Sequence, residues 1–81
     1  MSRTLRSSRQ KKLIALIIAE RKAAGLTQAE VAKKLRRYQS IVANIESGER
    51  RIDVVEFLDL ADAIGFDAGK IIENLQRGPR G

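Results

Sequence analysis

Between Arg36 and Arg51 the chain reads RRYQSIVANIESGERR, two arginine pairs around a segment rich in amides and hydroxyls. Guanidinium groups grip phosphates through charge-assisted hydrogen bonds, whatever the sequence carrying those phosphates. Glutamine and asparagine can each bond adenine at N6 and N7. Serine donates or accepts, and alanine allows close approach and can touch a thymine methyl. Gln39, Ser40, Ala43 and Asn44 are therefore the residues whose chemistry needs a partner. That chemistry is recognition, since the chain has neither cysteine nor histidine. Thiolate catalysis, Cys-ligated zinc, the commonest general base and the commonest metal ligand are absent with them. With no nucleophile–base pair and no glycine-rich phosphate loop, neither enzymatic activity nor a cofactor, metal or small-molecule ligand is expected.

The distribution of charge points the same way. Residues 1–51 hold 13 Lys/Arg against 4 Asp/Glu, a net of +9, and residues 52–81 hold 3 against 6, a net of −3. A basic half joined to an acidic half suggests one face built for a polyanion. Nucleic acid is the first candidate. An anionic membrane is weaker, because the basic residues do not line one face of a long amphipathic helix. The longest apolar run, Leu13 to Ala19, is seven residues, against the roughly 18 that a membrane span needs. A cytoplasmic, nucleoid-associated protein is expected. Eighty-one residues suit one domain and leave no room for a second, metabolite-sensing one.

The positioning elements read as helices throughout, with no alternating stretch long enough for a strand. Residues 1–7 look like a flexible basic arm, residues 8–76 like one domain and residues 77–81 like a disordered tail. Apolar residues at 13, 14, 17 and 18 predict a helix from about Ser8 to Ala24, stopped by Gly25. Thr27-Gln-Ala-Glu30 is a capping box opening a helix to about Leu35. The next helix runs from Gln39 to Ser47, with Gly48 as its C-terminal cap. Asp53-Val-Val-Glu56 is a second capping box, for a helix through Ile64 closed by Gly65, and Asp67 caps a last helix to about Leu75. On a wheel of about 100° per residue, Ile41, Val42 and Ile45 fall together and predict the core side of the third helix. Gln39, Ser40, Ala43, Asn44 and Ser47 share the other arc, which carries no charge. An ordinary solvated face would carry Lys and Glu for i,i+4 pairs. Read alone, the two amides are either base readers or plain surface amides.

Two short helices joined by about three residues make a helix-turn-helix unit. With it, "GLTQAEVAKKL", "QSIVANIESGER" and "DVVEFLDLADAIG" stand in an order and spacing that resembles the DNA-binding domains of the Cro/CI-type XRE family, over roughly four fifths of the sequence. The resemblance implies an all-α, five-helix, lambda-repressor-like bundle that binds double-stranded DNA. It implies base readout at the positions of Gln39, Ser40 and Asn44, phosphate contact at Gln28, and an ion pair between Arg21 and Glu46 linking helices one and three. Phosphate contact is further expected from Arg36, Arg37, Tyr38, Ser47, Arg50 and Arg51. Two positions depart from the family. Arg36 stands where a glycine is common, so a left-handed backbone there would be strained. Tyr38 stands at a cap position that it cannot fill well.

Glu56, Asp59 and Asp62 recur at i, i+3 and i+6, which reads as a solvated acidic face sooner than a metal site. Phe66, Ile71, Ile72 and Leu75 exceed what one small core needs and are the expected homodimer interface, with Leu16 as second choice. The function implied is a sequence-specific transcriptional regulator, a dimeric repressor or autoregulator reading a palindromic operator in the major groove. The rival is a protein-interaction module, an antitoxin or antiactivator, with or without DNA binding and with a protein partner on the acidic and apolar C-terminal helices.

Overall fold

The computed structural model describes residues 7–78, so most of the expected arm and tail lies outside the described residues. Five α-helices follow in order: α1 (Ser8–Ala23), α2 (Gln28–Leu35), α3 (Gln39–Ser47), α4 (Val54–Ile64) and α5 (Ala68–Arg77). The starts of α1, α2, α4 and α5 are set by side-chain caps. Ser7 accepts from the Gln10 amide, Thr27 and Glu30 close a reciprocal capping box, Asp53 and Glu56 close another, and Asp67 accepts from the Lys70 amide. Each such cap satisfies amides that a helix start leaves without intrahelical partners. In the first box, hydrogen bonds from the Thr27 amide and then its hydroxyl hold the Glu30 carboxyl below the usual carboxylate range. α5 continues two residues past the expected end. Arg77 is helical and lies 3.6 Å from Glu73 one turn back, so the tail begins only at Gly78.

α2 and α3 pack directly on each other, α4 closes over α2, and α1 is held between α3 and α5. The core lies where these faces converge, on Ile17, Val31, Val42, Ile45, Phe57 and Leu60. Val42 and Ile45 are buried and Ile41 packs against the same cluster, as the wheel for α3 requires. Leu16, partly buried, packs there too and widens the apolar stripe of α1 beyond the expected one. Ile71 and Leu75 are only 6% and 8% exposed, core residues of the single chain, and Phe66 packs beside them with its ring 5.6 Å from that of Phe57. Three of the four residues expected at a dimer interface are therefore largely used up within one chain. A five-helix domain this small needs the inner face of its last helix to complete its core.

The turn between α2 and α3 decides how α3 is presented. Arg36 is left-handed (φ 57°, ψ 43°), the one described non-glycine residue with positive φ. Its amide donates to Lys33 O, and the Arg37 amide reaches back to Ala32 O at 3.0 Å. This is the geometry in which glycine normally ends a helix. An L-residue there carries about 1–2 kcal/mol of strain, and glycine returns part of that gain as extra unfolded-state entropy. Arg36→Gly should therefore stabilise the fold by about 1 kcal/mol, raising Tm by roughly 4–8 °C in thermal unfolding. An unchanged or lower Tm would mean that Arg36 makes compensating contacts.

Candidate nucleic-acid interface

α3 turns its charge-free arc outward. Gln39, Ser40, Asn44 and Ser47 are exposed and Ala43 is half-buried between them. Three features fix the helix. Its apolar arc is seated in the core. At its C-terminal end Gly48 is left-handed (φ 83°), and the Glu49 and Arg50 amides both donate to the Asn44 carbonyl, at 3.0 and 3.1 Å. Ile14 of α1 lies 3.5 Å from where a Cβ at Gly48 would stand, an ordinary contact, so it is the left-handed turn and not the packing that favours glycine.

The third feature is ionic. Arg21 Nε donates to Glu46 Oε2 at 2.6 Å and Arg21 Nη2 to Glu46 Oε1 at 2.9 Å, with the two side chains 12% and 6% exposed. Arg21 Nη1 also donates to the Leu26 carbonyl in the α1–α2 loop. The hydrogen bonding to Glu46 first, with its charge as a smaller cause, holds the Arg21 guanidinium above its already high range, against the opposing effect of burial. Gln28 joins this cluster, its Nε2 donating to Glu46 Oε1 at 2.9 Å. One of its two amide hydrogens is thus engaged inside the protein, and the other, on a half-buried side chain, has no described partner. That second N–H and the backbone amide at the α2 N-terminus are the donors left for the phosphate contact expected of Gln28.

The remaining phosphate candidates divide into free and engaged groups. Arg36, Arg51 and Tyr38 are exposed, Tyr38 at 82%, and none has a described side-chain hydrogen bond or ion pair. Tyr38 makes no side-chain cap; the Ile41 amide turns to the Tyr38 carbonyl at 3.0 Å, and the Gln39 and Ser40 amides stay open to solvent or to an anion. The Ser47 hydroxyl is 3.1 Å from both the Asn44 carbonyl oxygen and Glu49 Oε1, and its one proton serves one of them at a time. It is not the free donor expected. Arg50 and Arg37 both turn to Glu56 of α4: Arg50 Nη2 donates to Glu56 Oε2, and Arg37 Nη2 stands 3.6 Å from the same oxygen. Glu56 thereby leaves the acidic row in which its spacing placed it, while Asp59 and Asp62 stay exposed. Sequence reasoning missed this role. The one available signal was an acid in the first turn of a helix that starts just after an arginine pair.

The other surface feature is apolar. Val54, Leu58 and Ile72 are exposed apolar residues beside a groove between α4 and α5, floored by Leu13, Ile52 and Phe57. No described helix is long and apolar enough to cross a membrane.

Comparison with known proteins agrees with this geometry. A helix-turn-helix domain family model matches residues 1–71. An XRE-family like protein from Pseudomonas syringae pv. tomato str. DC3000 has a similar structure. It is 40% identical, with a TM-score of 0.85, over 93% of this chain and 92% of that one. The clp gene regulator ClgR from C. glutamicum shares the fold at 16% identity, with a TM-score of 0.76 over 91% of this chain and 99% of that one. Among curated proteins no sequence matches. A family model covering most of the sequence and a 40% identical relative along nearly its whole length together establish the membership: the chain belongs to the XRE family of helix-turn-helix DNA-binding domains, a non-enzymatic family.

Proposed function

We propose that the protein is a sequence-specific transcriptional regulator that binds a palindromic operator as a homodimer and represses by occupying a promoter, its own included. The observation that carries this reading is the outward arc of α3, uncharged and exposed, with free guanidinium groups at Arg36 and Arg51 on either side. Phosphate contacts fix register while base edges give sequence. In this reading Gln39, Ser40, Ala43 and Asn44 meet base edges, and Arg36, Arg51 and Tyr38 meet phosphates. Such work places the protein inside the cell with its DNA. The same arginine that strains the turn then has a function, and the stabilising Arg36→Gly change weakens binding on every sequence.

One nine-residue helix reads few base pairs, so a specific site calls for two copies. The dimer face supported by the packing is the α4–α5 groove, where Ile72, with Leu58 and Val54, takes the role first expected of the core residues Ile71 and Leu75. Selection from random duplex DNA at physiological salt, at protein concentrations that permit dimers, tests the whole reading. The expected result is a palindromic motif with half-sites about 34–36 Å apart, one helical turn. Retention that is salt-sensitive but enriches no sequence would reject it. The exposed acidic pair Asp59 and Asp62 favours the second reading, a docking surface for a basic protein partner, and such a failed selection would turn the search to that partner.

A further inference from the structure

Two of the arginines that frame the reading helix share one counter-charge. Arg37 lies in the turn before α3 and Arg50 just after it, yet both reach Glu56 Oε2. The carboxylate is held in place for this. Glu56 is the third residue of the α4 capping box: its amide donates to Asp53 Oδ1 at 2.7 Å, and its Oε1 faces the Asp53 amide at 3.5 Å. Its side chain is 16% exposed, while those of Arg37 and Arg50 are 42% and 35% exposed. The acid is sheltered and the cations face outward. Arg50 Nη1 is buried without a hydrogen-bond partner among the described residues, so the present pose leaves that guanidinium under-satisfied and ready to exchange partners.

We propose that Glu56 sets how strongly the protein grips the DNA backbone, by cancelling one of the two positive charges that Arg37 and Arg50 carry beside the reading helix. The inference rests on the DNA-binding reading of α3 and adds to it the phosphate contact that the sequence leads one to expect of Arg37 and Arg50. Its physical basis is ion exchange. A protein that neutralises Z phosphates loses affinity with salt at a slope of about −0.9Z. When a phosphate takes Arg37 or Arg50 from Glu56, the carboxylate is left to recruit a cation, and the three groups together supply one net charge instead of two. Base readout is untouched, because Glu56 stands on α4 and the base-reading side chains on α3. Glu56 thus limits how long the protein stays on DNA of any sequence, without altering which sequence it prefers.

The test is Glu56→Gln. Glutamine keeps the side-chain volume and can still close a capping box, so the fold is retained. Binding of wild type and variant to a random-sequence duplex is measured by fluorescence anisotropy across a salt series, with Tm measured alongside. The variant is expected to bind about three- to tenfold more tightly at low salt, which corresponds to two modest, partly exposed ion pairs. Its salt slope should steepen by about one unit. Adding Arg37→Gln to the variant should return the slope to that of wild type. A purely structural Glu56 would lower Tm and leave the slope where it was. A carboxylate that props the arginines toward phosphate would make the variant bind more weakly. Either result overturns the proposal while leaving the DNA-binding reading intact, whereas a wild-type protein that retains no duplex at low salt overturns both.

Discussion

Asn44→Ala and Gln39→Ala should each weaken binding to the selected operator by about 1–3 kcal/mol, roughly five- to more than a hundredfold, and barely change binding to random duplex. The expectation comes from where the two amides stand. Gln39 opens α3 and Asn44 follows five residues later, about 7.5 Å along the axis. In the proposed binding mode that rise corresponds to about two base-pair steps and would set the two side chains against different base pairs. Neither change disturbs the scaffold. The Asn44 backbone carbonyl, not its side chain, takes the Glu49 and Arg50 amides, and alanine is a better helix former than either amide. Tm should hold or rise, which separates loss of reading from loss of fold. Titrations on operator and scrambled duplex at one fixed salt concentration decide the matter. Equal losses on both DNAs would make these residues phosphate or packing contacts and move the reading elsewhere.

The residues that place this helix were legible because their causes are local. A Thr-x-x-Glu or Asp-x-x-Glu start satisfies amides within one turn, and Gly48 and Gly65 close their helices through their own backbone freedom. The uncharged arc of α3 follows from a period of 3.6 and needs no tertiary knowledge. What was hidden depends on contacts between segments far apart in sequence. Ile71 and Leu75 look surplus until α5 lies against α1 and α4, and then they are core. Glu56 satisfies its capping box and its spacing with Asp59 and Asp62, so the sequence offers two adequate explanations for it. The third, the reach of Arg37 and Arg50 to its side chain, exists only after α2, α3 and α4 have packed. Gln28 was placed at the correct helix start. Its side chain turned to Glu46, because a buried carboxylate with lone pairs to fill competes well against solvent.

Glu46→Ala should be the most damaging single change to the fold, costing about 3–5 kcal/mol. The carboxylate accepts three hydrogen bonds, two from Arg21 and one from Gln28, and Arg21 in turn holds the Leu26 carbonyl. One side chain thus ties α1, the α1–α2 loop, the start of α2 and α3. Removing it leaves the Arg21 cation buried without a counter-charge, and that stranded charge, more than the lost contacts, sets the size of the effect. A domain of this length has on the order of 4–12 kcal/mol of total stability, so the loss is a large part of the whole. Thermal unfolding followed by circular dichroism should show Tm lower by at least roughly 12 °C. Arginine's folded-state pKa is raised, so its contribution is lost only as pH rises through the folded arginine range, and raising the pH within ordinary buffers should not mimic the mutation. Replacing both partners together, Arg21→Met with Glu46→Leu, should recover most of the stability, because two apolar groups of similar volume leave no charge to desolvate. If Glu46→Ala lowers Tm by only a few degrees, water reaches the pair and the argument from burial fails. If instead the double variant regains Tm but binds operator more weakly, the pair serves mainly to aim α3: an apolar contact restores packing but has no directional bonds with which to set the angle at which the reading helix meets the groove.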